Sequence, residues 1–159
     1  MGPPWHRGLE MQRGLVRVVA VAVLTIGLAV TTVGVATPAS AQLRRTKMLA
    51  WVNHSRAEHH VAPLRMVRSV VGIAHDHNLA MAQKDRLFHT SDLGYKLRYV
   101  DWHTWGENVG AGVTPYGLFK AYMASPEHRA NMLSTGFRRV GINFVERRGI
   151  LWSTLIFYG

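Results

Sequence analysis

The spacing of apolar positions changes several times along this chain, and each change marks an element. Residues Val18 to Ala36 are almost unbroken Val, Ala, Leu, Ile, Gly and Thr. From Lys47 to about His59, Leu49, Val52 and Arg56 recur near helical spacing, Trp51 adds apolar bulk, and Thr46 stands where a cap is needed. His60-Val61-Ala62-Pro63 ends that helix, because the residue before a proline is pushed out of the helical region. A longer helix is predicted from near Ser69 to about Arg86. There Val70, Ile73, Ala74, His77, Ala80, Met81 and Lys84 keep a three-and-four pattern, with Ala74 and Met81 turned to the core.

Thr90 to Trp105 shows no sustained period and reads as a wrapped loop with one short helix near Leu93 to Tyr99. The glycines from Gly106 to Gly112 suit a short extended segment or a tight turn. Thr114-Pro115 opens a helix to about Ala124, with threonine as cap and proline in the first turn. Ser125-Pro126-Glu127 repeats the device, and the second of these helices stops near Ser134, with Gly136 terminating it. The period then becomes two. Val140, Ile142 and Phe144 alternate, Arg147-Arg148-Gly149 makes a hairpin connection, and Ile150 to Tyr158 is a β-branched and aromatic return strand. Helices followed by an antiparallel hairpin predict an α+β layout, with helices covering a small, mainly antiparallel sheet.

The apolar run near the start changes what counts as the folded domain. Arg13 and Arg17 precede it, and Pro38-Ala39-Ser40-Ala41 carries the A-x-A spacing read by signal peptidase. The expectation is a signal peptide over residues 1–41, cleaved after Ala41, and a domain over 42–159 that is secreted into the extracellular space by the general route. The alternative is a membrane anchor formed by residues 18–36, a run long enough to span a bilayer. No Arg-Arg pair precedes the run, and the 159 residues contain no cysteine. Disulfides and a lipidated cysteine are therefore excluded, and packing alone must stabilise an exported domain.

The formal charge is +10; removal of Arg7, Arg13, Arg17 and Glu10 with the leader brings it to about +8. Such a surface favours acidic headgroups, wall polymers or nucleic acid. Arg44-Arg45, Arg138-Arg139 and Arg147-Arg148 are pairs and not a stripe, which also fits a plain solubilising surface.

Candidate chemistry is concentrated in Leu87-Phe88-His89, Trp105-Gly106-Glu107-Asn108 and Ser125-Pro126-Glu127-His128-Arg129-Ala130-Asn131-Met132-Leu133. Two imidazoles and a carboxylate delivered from separate elements make either a metal or acid/base site, or a hydrogen-bonded network that pins a loop to two helices. His75-Asp76-His77 has a metal-like look, but side chains two apart on a helix diverge, so a surface role is expected. His59-His60 falls at a helix end, solvated or paired with the negative end of the dipole. Trp102 and Trp105, flanking His103, line a groove or pack into the core. Asn131 and Arg129 are expected to hold the loop by hydrogen bonds, and Ser125 reads as a helix cap and not a nucleophile.

These segments, together with Asn53-x-x-Arg56, Ala74, Met81-Ala82, Phe137, Val140-Gly141-Ile142 and Phe157-x-Gly159, resemble the CAP superfamily. Its members are the cysteine-rich secretory, antigen 5 and pathogenesis-related 1 proteins, also called SCP domains. The resemblance covers about Met48 to Gly159 and is to the bacterial, cysteine-free type. It implies an α-β-α sandwich with two histidines and two glutamates in a central cleft, and in some members zinc or another divalent cation on the histidines. Residue by residue, the first histidine matches His89, the glutamate of Gly-Glu-Asn matches Glu107, and the second histidine matches His128. The second glutamate has no match: Tyr122 stands where animal and plant members have a tryptophan, and Ser125 falls at the glutamate position. Glu127 is close by, either supplying that carboxylate or favouring the helix dipole.

Two functions follow. One is a secreted binding module for a lipid, sterol or cell-envelope component, with zinc or a similar ion loosely held by His89 and His128. The other is a metal-assisted peptidase with Glu107 activating water. Two protein ligands are fewer than the three usual at a catalytic zinc, and no zincin motif or nucleophile elbow is present. Nucleic acid ranks last as a partner, because the leader directs the chain out of the cell. The membrane enters only through an uncleaved leader or the basic surface, and oligomeric state is left open.

Overall fold

The computed structural model describes residues 38–159; the apolar run Val18 to Ala36 and most of the expected leader lie outside the described residues. The element order is α1 (Pro38–Glu58), β1 (Arg65–Met66), α2 (Arg68–Lys84), α3 (Leu93–Lys96), β2 (Trp105–Gly112), α4 (Pro115–Ala124), α5 (Pro126–Leu133), β3 (Arg139–Arg147) and β4 (Ile150–Tyr158). The sheet runs in the order β1-β3-β4-β2. β3 and β4 form an antiparallel hairpin, β2 adds antiparallel to β4, and the two-residue β1 pairs parallel with β3.

Helices cover both faces of this sheet, which makes the α-β-α sandwich. Alternation along β4 divides its side chains between two cores. Leu151, Leu155 and Phe157 join Met48 and Val52 of α1, Leu118 and Tyr122 of α4 and Met132 of α5. On the other face Ile156 and Tyr158 meet Val70 and Ala74 of α2 and Leu93 and Leu97 at α3, while Trp152 meets Met81. Every residue from Leu151 to Tyr158 is buried, as a strand covered on both sides requires. Burying one such Leu or Phe side chain contributes roughly 1.5–3 kcal/mol, so these two cores carry the stability in place of disulfides.

The hairpin turn lies where the sequence predicts it. Arg148 and Gly149 both have positive φ, 52° and 75°, the combination that matches the twist of two adjoining strands. Thr114 caps α4, its Oγ1 accepting from the Gly117 N–H at 3.0 Å. Ser125 precedes α5 as expected, but its side chain makes no capping hydrogen bond. Its extended backbone, shared between the end of α4 and the start of α5, and Pro126 in the first turn set the break instead.

Some elements differ from expectation. α1 starts at Pro38 and not near Lys47, and Thr46 lies inside it, its Oγ1 donating back to the Gln42 carbonyl. The expected cleavage site at Ala41 therefore falls in the first turn of α1 in this chain. β1 has too few residues to show a period. Of the two readings of the glycine-rich segment, extended chain or tight turn, the extended one holds: it is a strand of eight residues because β4 offers a complete ladder from Trp105↔Tyr158 to Gly112↔Leu151. His77 is not a surface residue: it lies on the buried stripe of α2 between Ala74 and Met81, and its Nε2–H donates to the Phe88 carbonyl at 2.7 Å.

One buried cation locks the layers beside the site. Arg56, fully buried on α1, donates to the carbonyls of Ala62, Met132, Ser134 and Phe137 at 2.8–3.0 Å. These acceptors include the last turn of α5 and the loop before β3, so a single side chain fixes α1 against the end of α5.

Candidate functional site

The site forms around an edge strand. In β2, Glu107 stands opposite Ile156 and Asn108 opposite Leu155. Paired residues share a face, so Glu107 turns to the α2 side and Asn108 to the α5 side. Because no strand among the described residues lies beyond β2, groups from both layers meet around its free edge. His89, in the loop after α2, comes from one layer; Glu127 and His128, in the first turns of α5, come from the other. With Trp105, Gly106, Glu107 and Asn131 they line a cleft of about 370 Å3.

On the α2 side, Glu107 is the centre of the network. Its side chain is 3% exposed, whereas that of His89 is 65% exposed. Glu107 Oε2 accepts from His89 Nδ1 at 2.8 Å and from the Thr90 backbone N–H at 2.9 Å. Oε1 accepts from the Thr90 hydroxyl. A carboxylate only accepts, so Nδ1 of His89 carries a proton, and in the neutral ring with that tautomer the lone pair is on Nε2. This is the orientation that a carboxylate behind a ligating imidazole imposes.

The α5 side is built from amides. Asn108 Nδ2 donates to the His128 carbonyl at 2.9 Å, and Asn131 Nδ2 donates to Asn108 Oδ1 at 2.9 Å and to the Glu107 carbonyl at 3.3 Å. Gly106 is required for this approach: a Cβ there would lie 2.6 Å from Asn131 Oδ1. The His128 ring packs edge-on against Tyr122, centroids 5.2 Å apart. Burial lowers the His128 pKa from its ordinary value, the nearby His89 lowers it further, and Glu127 acts in the opposite sense. Tyr122 is buried beneath, its hydroxyl donating to the Ser153 carbonyl at 3.4 Å, and burial pushes its phenol pKa up.

The structure thus brings His89, Glu107, Glu127 and His128 to one cleft, with Asn131 bracing it. Arg129 points elsewhere, donating to His59 Nε2 at 2.9 Å, while His59 Nδ1–H donates to the Ser55 carbonyl at 2.7 Å. Of the two tryptophans, Trp105 lines the cleft and Trp102 packs beside Val70 and Leu93. Thr90 was not singled out from the sequence, although it supplies two of the three donors to Glu107. Its position next to His89 was the available signal. Among the described residues, no group of three or more His, Asp or Glu side chains is disposed to hold a metal ion.

With fold and cleft established, this chain belongs to the cysteine-rich secretory protein (CAP) family, whose family model matches residues 49–154. It is similar to the protein YkwD of Bacillus subtilis, at 28% identity over 124 residues, covering 73% of this chain and 48% of YkwD. The chain therefore spans about half the length of that relative. Among solved structures, an extracellular SCP-domain protein from Bacillus anthracis superposes with a TM-score of 0.69 at 21% identity, covering 79% of this chain and 44% of the other. An outer surface protein from Borrelia burgdorferi gives 0.68 at 13% identity, covering 74% and 92%. At such identities these structures share the fold.

Proposed function

We propose that this chain is an exported CAP-family binding module whose cleft takes a lipid, sterol or other cell-envelope component, with a divalent cation exchangeably held at its mouth. The carrying observation is the state of Glu107. Both of its oxygens already accept hydrogen bonds, from His89 and from Thr90. A carboxylate so engaged positions an imidazole, and with its side chain only 3% exposed it is poorly placed to take a proton from an attacking water. The extracellular and outer-surface relatives support export. No helix among the described residues is long and apolar enough to cross a membrane.

The donors present fit a weakly bound cation. His89 offers Nε2 once Glu107 holds Nδ1. The lowered pKa of His128 favours the neutral ring, which is the ligating form. Such an ion would supply a positive centre for an anionic or carbonyl group of the ligand. The half-exposed ring of Trp105 offers an apolar wall beside it.

Zinc titration by calorimetry tests the site, with His89→Ala and His128→Ala beside the parent chain. Each loss of one of two ligands is expected to weaken binding roughly tenfold or more; equal affinity in all three refutes the cation site. Incubation with peptide libraries is expected to leave them intact. Cleavage that disappears in Glu107→Ala would instead establish the metal-assisted peptidase.

A further inference from the structure

Basic residues that the sequence scatters in pairs are gathered by the sheet. Parallel pairing of β1 with β3 sets Arg65 opposite Arg139, and the Arg65 N–H donates to the Arg138 carbonyl at 3.0 Å. With Ala62 and Pro63, Arg65, Arg138 and Arg139 line a cavity of about 340 Å3. It lies at the β1 edge of the sheet, the opposite edge from β2 and the histidine cleft.

None of the described residues that line the cavity is acidic. Ion pairs among the described residues are Arg44–Glu146, His54–Glu58 and His89–Glu107, so none involves these three arginines. Arg138 spends one terminal nitrogen on the carbonyls of Thr135 and Phe137, and Arg139 lies 5.7 Å from the centre of the Tyr158 ring. The Arg65 guanidinium has no protein partner among the described residues. Like charges converging on one concavity repel, and an anion placed among them relieves that repulsion. Guanidinium forks match the oxygens of phosphate and carboxylate groups alike. A carboxylate, however, has one charge and two oxygens in a plane, and a tetrahedral phosphate presents oxygens in three directions.

We infer that the Arg65–Arg138–Arg139 cavity is a binding site for a phosphate group, either free or carried as the ester of a headgroup or polymer. It stands apart from the histidine cleft and does not depend on what that cleft binds.

Calorimetry on the full chain in a neutral detergent, at constant ionic strength set with sodium chloride, tests this with two probes. Inorganic phosphate stands for the free anion, and glycerophosphoglycerol stands for a phosphodiester headgroup. Binding of at least one probe above the chloride background is expected, and Arg65→Gln with Arg139→Gln is expected to weaken it roughly tenfold or more. Removing the same charge from the far surface, by Lys120→Gln with Arg147→Gln, is expected to leave it within about twofold. Binding of the diester assigns an esterified ligand, and binding of phosphate alone assigns the free anion. Failure of both probes, or equal weakening by the two double variants, overturns the site and leaves the arginines as charge protecting an exposed sheet edge.

Discussion

His89 Nδ1 and Glu107 Oε2 lie 2.8 Å apart, joining an exposed imidazole to a buried carboxylate. The bond crosses from the loop after α2 to an edge strand, so it both orients the histidine and satisfies a carboxylate that has left water. Glu107→Gln keeps the shape but replaces one accepting oxygen with an amide that must donate. The amide nitrogen then fits only toward the Thr90 hydroxyl, which must turn to accept, and the bonds from His89 and the Thr90 N–H to the remaining oxygen lose their charge assistance. The expected cost is about 1–3 kcal/mol of stability by urea unfolding, with weaker zinc binding in the same preparation.

His128 imposes a pH dependence. Its folded-state pKa lies below the ordinary 6.5, with burial as the largest cause and His89 next. Between that lowered value and 6.5 the unfolded chain binds more protons than the folded one, so stability falls as pH drops below about 6.5. His128→Gln is expected to flatten this part of the profile, measured as unfolding midpoint against pH. Cation binding should weaken over the same range, because protons compete for the imidazole nitrogen.

Arg56 is expected to be among the least replaceable residues. Arg56→Ala leaves the carbonyls of Ala62, Met132, Ser134 and Phe137 without their donor and opens a void beneath α5. A loss of roughly 3–5 kcal/mol in chemical unfolding is expected. Arg56→Lys should recover only part of it, because one ammonium cannot reach acceptors spread around a planar fork.

Gly141 reports on the packing of α2 against the sheet. A Cβ at that position would lie 2.5 Å from the Val70 backbone carbon and 2.7 Å from its oxygen, so α2 would have to move outward. Gly141→Ala is expected to lower stability by about 1–3 kcal/mol in thermal or urea unfolding, although alanine suits a strand no worse than glycine.

Much of the fold was legible because its signals are local. Thr114-Pro115 and Ser125-Pro126 mark the starts of α4 and α5, and the two-residue period with Arg148-Gly149 marks the hairpin. The stripe of α2 is visible in Ala74 and Met81. Signals failed where the deciding contact is distant in sequence. Two-residue β1 exists through its pairing with β3, the glycines of β2 are held by the ladder to β4, and His77 is buried because the Phe88 carbonyl receives its ring N–H.

For the cleft, the order of Leu87-Phe88-His89, Gly106-Glu107-Asn108 and Ser125-Pro126-Glu127-His128 was enough to point to the CAP family and to name the residues. Their chemistry needed the tertiary structure. A strand alternates its side chains, so whether Glu107 meets His89 or His128 depends on which way β2 is set against β4. Only that pairing turns Glu107 to His89 and Asn108 to His128. The same holds at the other edge, where Arg65 and Arg138-Arg139 are far apart in the chain and share a cavity only because β1 lies beside β3. Sequence alone determined α2, α4, α5, the hairpin and the identity of the reactive groups, since capping, prolines and periodicity act within a few residues. Which groups face one another was decided by strand register, a property of residues brought together only by folding.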